Sequence, residues 1–356
     1  MVSWAYSFFS FKKFLPGRSN NFDILRLLFA IFVIFSHSYA LLKLPEPYGA
    51  LTGGVLSHHG VSGFFFISGL LIATSWRGDP RVVVFLWKRF LRIFPGLLAA
   101  VIFSALVIGS IVTTLPISEY LRRPELLDFF KHNLSLYYVR YNLPGVFETN
   151  PYKGAVNGSL WTLPYEVLMY LIVLMLGLLG ALRGPAVSVL LLLSLIGLEH
   201  FTSGSEVLAR TVIWGLLPNQ FIHLGIFFLI GVVSSFLIHL VPVSACLVVA
   251  IPLLVACTPC PPILWYFLFT YWVICAAYSP AIDISRLTSW GDISYGMYIY
   301  AFPIQQLLIY LFSGNVSPSR LFLYSTVLTA AISLLSWFVV ERPALQLKKI
   351  LVKNRG

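Results

Sequence analysis

Long apolar stretches recur along the whole of this chain. Residues 25–42, 96–115 and 321–340 are each dominated by apolar side chains. A helix rises about 1.5 Å per residue, so about twenty such residues cross a hydrocarbon core about 30 Å thick. The chain is 58% hydrophobic and 10% charged, whereas soluble domains average about 45–50% and about 25%. The sequence therefore predicts an all-α, polytopic membrane bundle.

Reading the rest of the chain in the same way predicts about ten spanning helices. They are placed near residues 23–42, 55–76, 94–115, 162–181, 185–199, 212–238, 243–257, 262–279, 293–312 and 321–340. Segment 185–199 is short, and half of a broken helix is the alternative for segment 243–257. Nine and eleven spans are therefore the alternatives. An even number places both termini on one side of the membrane.

The distribution of Lys and Arg predicts which side that is. Cytoplasmic loops carry an excess of basic residues, and with the N-terminus inside, that excess falls on the inner segments. Both termini, including a basic tail over residues 341–356, are therefore predicted to be cytoplasmic. The net charge of +11 faces the anionic inner leaflet, because the basic residues flank spans, and nucleic acid is not an expected partner. We predict one integral membrane domain over residues 1–356.

The first predicted span carries ionisable side chains. Charge is costly inside a membrane, so Arg26 and His37 are functional candidates. At about 100° per residue they are separated by about three turns plus about 20°, which puts both on one face, and Asp23 can pair with Arg26. The alternatives are a snorkelling role for Arg26 and an interhelical hydrogen bond for His37.

A basic ridge precedes the third predicted span. Lys88, Arg89 and Arg92 are closely spaced on the inner side. Guanidinium groups match phosphate geometry, so this ridge suits the phosphates of a cytosolic nucleotide cofactor. Anchoring on lipid headgroups is the alternative.

Glu166 lies at the predicted outer edge of the fourth span. Beside His37 it would set the imidazole tautomer, raise its basicity or take a proton. The alternative is a carboxylate wetted at the interface. In the second span, the small residues between Gly60 and Gly69 predict close helix packing.

The remaining histidines and cysteines give no metal site. We predict that His58 and His59 lie in a solvated loop, and no role is assigned to His132, His200, His223 and His239. Cys257 and Cys260 lack the second Cys or His pair that a zinc site requires, so no metal is expected. A disulfide between them is left open.

Six motifs follow one another along the chain. They are Phe22-Asp23 with Leu25-Arg26 and His37, Gly60-Val61 with Phe64-Phe65-Phe66 and Ser68-Gly69-Leu70, Arg89-x-x-Arg92-Ile-x-Pro95, Ser159-Leu-Trp-Thr-Leu-Pro-Tyr-Glu166, Ser294-Tyr-Gly-x-Tyr298 and Glu341-Arg342-Pro343. In this order they resemble the acyltransferase-3 family of membrane acyltransferases, which decorate bacterial surface polysaccharides and some antibiotics and lipids.

The resemblance implies a function for the spaced residues. Arg26 and His37 match the pair taken as essential for acyl transfer, and Arg89 and Arg92 match the basic pair near the cytosolic donor, usually acetyl-coenzyme A. The acceptor is commonly a hydroxyl of a lipid-linked or growing glycan, such as an exopolysaccharide or O-antigen. The implied location is the bacterial cytoplasmic (inner) membrane, with polysaccharide synthesis or export machinery as possible partners.

A mechanistic hypothesis follows from this resemblance. The phosphates of coenzyme A bind Lys88, Arg89 and Arg92, and the pantetheine arm follows the track from Arg26 to His37. His37 acts as general base or is acylated itself, and Glu166 supports it. The expected sugar-binding residues are Ser159, Trp161, Thr162 and Tyr165, and the expected supporting residues are Asp23, Ser68 and Tyr295.

The chain departs from the family pattern at one position and leaves two rival functions. Many members have a histidine where this chain has Ala301, and the esterase-like soluble domain fused to some relatives is not expected. One rival is a secondary transporter or flippase for a polysaccharide precursor or small organic anion. The other is a structural subunit of a polysaccharide synthesis complex.

Overall fold

A computed structural model describes residues 20–47, 54–205, 215–258, 260–279 and 291–348, together with residues 12–13, 49, 207 and 211–213. In these residues the chain is almost entirely helical. The named strands there are a two-residue antiparallel pair, Lys12–Lys13 with Pro242–Val243. The predicted helical architecture is confirmed.

The main helices follow the apolar stretches. They are α1 (Phe22–Ala40), α2 (Leu56–Gly78), α3 (Val82–Val112), α4 (Pro124–Ser135), α5 (Leu163–Leu178), α6 (Ala186–Thr202), α7 (Pro218–Leu237), α8 (Cys246–Cys257), α9 (Pro262–Tyr278), α10 (Ser294–Leu311) and α11 (Pro318–Gln346). Within the described ranges, 6 helices are long and apolar enough to cross a membrane: α1, α2, α3, Gly158–Leu178, Pro218–Leu240 and α11. The chain is therefore a membrane protein. Ten spans and cytoplasmic termini stay predictions.

Helix α3 begins earlier than the sequence predicts. The basic ridge was expected before a span that starts near residue 94, but one helix runs from Val82 to Val112, with Pro95 inside it and a π-helical segment at Phe103–Ile108. Membrane helices tolerate proline, because neighbouring groups satisfy the freed backbone. The ridge therefore projects from the first turns of a spanning helix.

The predicted close packing of the second span is confirmed at two glycines. A Cβ atom on Gly69 would lie 2.0 Å from the carbonyl oxygen of Phe228, and one on Gly231 would lie 2.2 Å from that of Phe66. Helices in a membrane associate through such small residues, because lipid provides no hydrophobic driving force between them. Backbone contact therefore fixes α2 against α7.

Helix α10 is buried along nearly its whole length and is held by amide side chains. Gln305 Nε2 donates to the Ile34 carbonyl and to Ser38 Oγ of α1, both at 2.8 Å. The next side chain, Gln306, donates at 2.8 Å to the Tyr152 carbonyl in the loop before α5. These hydrogen bonds attach both α1 and that loop to α10.

The C-terminal end of α11 lies beside α3. The indole Nε1 of Trp87 donates to the Leu347 carbonyl at 3.3 Å. This contact brings residue 348 next to the basic ridge. Residues 349–356 of the predicted basic tail lie outside the described residues.

Candidate active site

Five basic side chains line one cavity of about 320 Å³, which we call the cationic cavity. They are Arg26 of α1, Lys88, Arg89 and Arg92 of α3, and Lys348 after α11. The three α3 residues fall within little more than one helical turn, so they face one region. The sequence predicted that ridge, and the fold adds Arg26 and Lys348 to it.

Asp292 holds two of these cations. Its Oδ2 accepts from Arg92 Nη2 at 2.5 Å and lies 3.5 Å from Arg26 Nη1, while Arg26 also pairs with Asp23 at 3.2 Å, as the spacing predicted. Burial by itself raises the pKa of the Asp292 carboxyl, but Arg92 and Arg26 lower it to about 2. The carboxylate therefore stays ionised and fixes both guanidinium groups.

Arg89 has a donor that the described residues do not satisfy. Its Nη2 donates weakly to Ser75 Oγ at 3.4 Å, and its guanidinium carbon lies 5.8 Å from the Tyr170 ring centre. The buried Nε has no hydrogen-bond partner among the described residues. A buried donor without an acceptor costs about 1–3 kcal/mol. An anion bound in the cationic cavity would supply that acceptor.

Glu166 does not lie where the sequence analysis placed it. It was expected beside His37, but it lines the cationic cavity, where the Tyr170 hydroxyl donates to its carboxylate. Ser68 lines the same cavity and hydrogen bonds to Tyr170. The first turn of α5 directs Glu166 towards Arg89, so its negative charge acts on the cations rather than on the imidazole.

His37 lines a second cavity of about 700 Å³, which we call the histidine cavity. Its ring contacts Phe302 edge to face at 5.3 Å, and its Nδ1 has no hydrogen-bond partner in the described part of the chain. Arg26 and His37 therefore both face the bundle interior, as the spacing predicted, but they line different cavities.

The two cavities meet at Tyr298 and Val61, which line both of them. The Tyr298 hydroxyl is hydrogen bonded to Thr162 Oγ1 at 2.8 Å. Thr162 was expected to bind sugar, but it lines the cationic cavity. Tyr298 and Val61 therefore form part of the boundary between the two cavities.

The other expected sugar-binding residues are separated by the fold. Ser159 is only 1% exposed and lines neither the cationic cavity, the histidine cavity nor a third cavity, so it is not placed to bind sugar. Trp161 lines the histidine cavity and also a third cavity of about 750 Å³. Tyr165 lines only the third, where its hydroxyl accepts from the Leu217 amide at 2.8 Å. The 3₁₀ turn Gly158–Thr162 therefore presents Ser159, Trp161 and Thr162 to different surroundings.

Sequence reasoning did not identify several residues of these cavities. Tyr298 ends the Ser294 motif, and Lys348 lies in the predicted basic tail. Tyr295, expected as a support, donates to the Ile93 carbonyl at 2.9 Å. Asp292 stands two residues before the Ser294 motif, where a carboxylate among apolar residues was the available signal.

The predictions for isolated histidines are also corrected. His58 and His59 lie within α2 rather than in a loop, and His59 is buried against Trp265. His223 is not isolated, because it contacts Glu199 and lines the histidine cavity with His58.

The described residues contain no group of three His, Cys, Asp or Glu that could hold a metal, and Cys257 and Cys260 are free thiols.

Sequence comparison shows the family to which this chain belongs. The family model described as "Acyltransferase domain" matches residues 19–340. The chain is a member of the acyltransferase-3 family. This acyltransferase therefore carries its enzymatic domain over nearly the whole bundle, and the resemblance stated from the six motifs is confirmed.

Two named relatives align with this acyltransferase over most of their length. An "O-acetyl transferase" of Shigella phage Sf6 is 32% identical over an alignment of 352 positions that covers 91% of this chain and 96% of the relative. "Nodulation protein 10" of Rhizobium leguminosarum bv. viciae is 27% identical over an alignment of 362 positions that covers 95% of this chain and 96% of the relative. No solved structure matches this acyltransferase.

Proposed function

We propose that this acyltransferase moves an acetyl group from cytosolic acetyl-coenzyme A to a hydroxyl of an extracytoplasmic or lipid-linked glycan. The observation that carries the proposal is the meeting of the cationic cavity and the histidine cavity at Tyr298 and Val61. One cavity offers charges for a donor, the other offers a base, and they are adjacent inside a membrane bundle.

The cationic cavity suits the phosphates of coenzyme A. Arg26, Lys88, Arg89, Arg92 and Lys348 outnumber the two carboxylates that line it. Guanidinium groups bind phosphate through paired hydrogen bonds, and the free Arg89 Nε is one donor for such a bond. The positive-inside distribution of the sequence favours the cytoplasm as the side from which this cavity opens.

The histidine cavity suits the transfer step. His37, as a neutral imidazole, takes the proton of the acceptor hydroxyl while that oxygen attacks the thioester carbon. The new C–O bond forms as the C–S bond breaks, and the departing thiolate takes up the proton. In the alternative sequence, His37 carries the acetyl group between the two steps. Glu166 acts at a distance, by holding Tyr170 and balancing the charge of Arg89.

The acetyl group and a hydroxyl acceptor are supported by one of the relatives. The Shigella phage relative is named an O-acetyl transferase, and an O-acetyl product requires a hydroxyl acceptor. The bacterial inner membrane is the corresponding location for a cytosolic donor and an outer acceptor, and polysaccharide synthesis or export proteins are the partners that such a reaction implies.

The test compares O-acetylation of the surface polysaccharide by proton NMR in cells with the wild-type chain, a deletion or His37→Ala. We expect both mutants to lose the acetyl signals at unchanged polymer yield. His239→Ala is the matched control, because His239 is an exposed histidine that lines none of the three cavities described above. Loss of the polymer itself in the deletion would favour a transporter or flippase, and full acetylation in His37→Ala would refute the active site.

A further inference from the structure

Three titratable side chains form a cluster, two of them line the histidine cavity, and none has a part in the transfer step described above. Tyr266 of α9 donates to both carboxylate oxygens of Glu199 in α6, at 2.5 and 2.6 Å. His223 Nδ1 of α7 lies 3.0 Å from the Tyr266 hydroxyl and 3.3 Å from Glu199 Oε1. Three helices therefore hold one carboxylate in a fixed orientation.

Glu199 keeps hydrogen-bonding capacity for a ligand. An ionised carboxylate has about four acceptor positions, and Tyr266 and His223 use only part of them. The Glu199 and His223 side chains are 29% and 38% exposed, and both line the histidine cavity with His37. A carboxylate that is oriented but still accessible suits neighbouring hydroxyl groups of a sugar.

The histidine cavity continues into the third cavity. Trp161 and Gln220 line both spaces, which measure about 700 and about 750 Å³. A single drug-sized ligand occupies about 300–1,000 Å³, so the two together exceed what one monosaccharide fills. Tyr138 and Tyr141 line the third cavity but not the histidine cavity, and their rings offer apolar faces with polar edges.

The charge of these walls selects against acidic ligands. Glu199 lines the histidine cavity, and Glu125 and Asp128 line the third, against Arg140 as the one Arg or Lys among the described residues that line either space. A carboxylate or phosphate on the ligand would meet like charges, which is unfavourable in a partly buried site.

We infer that the histidine cavity and the third cavity form one acceptor groove that binds a neutral oligosaccharide of at least two sugar residues. Glu199 accepts hydrogen bonds from the sugar that reacts at His37, Trp161 packs against the sugar at the junction, and Tyr138 and Tyr141 pack against the next one. This inference rests on the proposed function, because it names the acceptor of that same transfer.

The test uses the full-length protein in nanodiscs with radiolabelled acetyl-coenzyme A. The probes are oligosaccharides of one to six sugar residues, made by partial hydrolysis of the non-acetylated polysaccharide from the deletion strain. We expect acceptor kcat/KM to rise at least about tenfold from the monosaccharide to the longer fragments, and Glu199→Gln to raise the acceptor KM about tenfold while the KM for acetyl-coenzyme A stays unchanged. An unchanged donor KM also shows that the variant is folded.

Further variants separate the two parts of the groove. Tyr138→Ala with Tyr141→Ala should remove most of the gain with length, whereas Tyr137→Ala, an exposed neighbour that does not line the third cavity, should keep it. Equal use of monosaccharide and longer fragments, or an unchanged acceptor KM in Glu199→Gln, would overturn the inference while wild-type transfer still supports the proposed function. An acidic sugar at the acetylated residue would overturn the charge argument. No transfer by wild-type protein to any fragment would refute both.

Discussion

Nη2 of Arg92 donates to Oδ2 of Asp292 across 2.5 Å, although the two residues are 200 positions apart in the sequence. Their side chains are 23% and 11% exposed, so the ion pair lies largely out of water. Arg26 approaches the same carboxylate oxygen at 3.5 Å. One carboxylate thus joins α1, α3 and the start of α10 at the cationic cavity.

Asp292→Asn should reduce transfer without weakening donor binding. Loss of one partner from a buried ion pair costs about 3–5 kcal/mol, and the released Arg92 and Arg26 no longer hold their positions. We therefore expect kcat to fall by at least about tenfold. The Kd for coenzyme A should not rise, because the cavity becomes more positive.

The control for this variant is Glu119→Gln. Glu119 forms an ion pair with Arg123, and the two side chains are 46% and 42% exposed. Such a surface pair contributes about 0–1 kcal/mol to stability. Its loss should leave transfer and the melting temperature nearly unchanged. An Asp292→Asn protein with full kcat would show that the contacts of Asp292 with Arg92 and Arg26 have no role in the reaction.

Tyr298→Trp should separate donor binding from transfer. Tyr298 lies where the two cavities meet, so a larger ring obstructs the pantetheine arm while the cations stay in place. We expect transfer to fall at least about a hundredfold, with coenzyme A binding retained in a calorimetric titration.

Tyr298→Phe is the matched control, because it keeps the ring and removes only the hydrogen bond to Thr162. A neutral hydrogen bond contributes about 1 kcal/mol, so the loss of activity should be within about tenfold. Normal transfer by Tyr298→Trp would exclude this passage as the route of the acyl group.

Donor binding should weaken as the pH rises through about 8. Burial, and to a smaller extent repulsion from Arg92, Arg89 and Lys88, lowers the pKa of Lys348 to about 8. Above that pH the cavity loses one positive charge, while phosphate groups stay ionised. The Kd for coenzyme A should therefore rise several-fold between about pH 7 and pH 9.

Lys348→Gln tests the assignment. It should bind coenzyme A more weakly at pH 7, and its Kd should then change little up to pH 9, whereas Lys131→Gln, an exposed lysine, should behave as the wild type. The same pH dependence in Lys348→Gln would assign the titration to another group.

Gly231→Val should destabilise the bundle. The added Cβ would lie 2.2 Å from the Phe66 carbonyl oxygen, so α7 and α2 have to separate. Such overpacking costs about 1–3 kcal/mol, and we expect a lower melting temperature in detergent. Gly197→Val is the matched control, because nothing lies within 4 Å of its Cβ position. Equal melting temperatures for the two variants would contradict the close contact.

The features predicted from sequence are those that depend on residues close together in the chain. Helical period alone puts Arg26 and His37 on one face and brings Lys88, Arg89 and Arg92 into one ridge. Glu166 shows the limit of that reasoning. Its motif predicted the helix that carries it, but not which residues lie near its side chain. The fold places it near Arg89 rather than His37.

By itself, the sequence determined that this chain is a helical membrane protein of the acyltransferase-3 family, because hydropathy and motif order are properties of the linear sequence. Only the tertiary structure decided that Asp292 pairs with Arg92, that Tyr298 lies between two cavities, and that Glu199 meets His223 and Tyr266. These contacts join different segments of the chain, and they depend on how closely the helices pack. Helical periodicity contains no information about that packing.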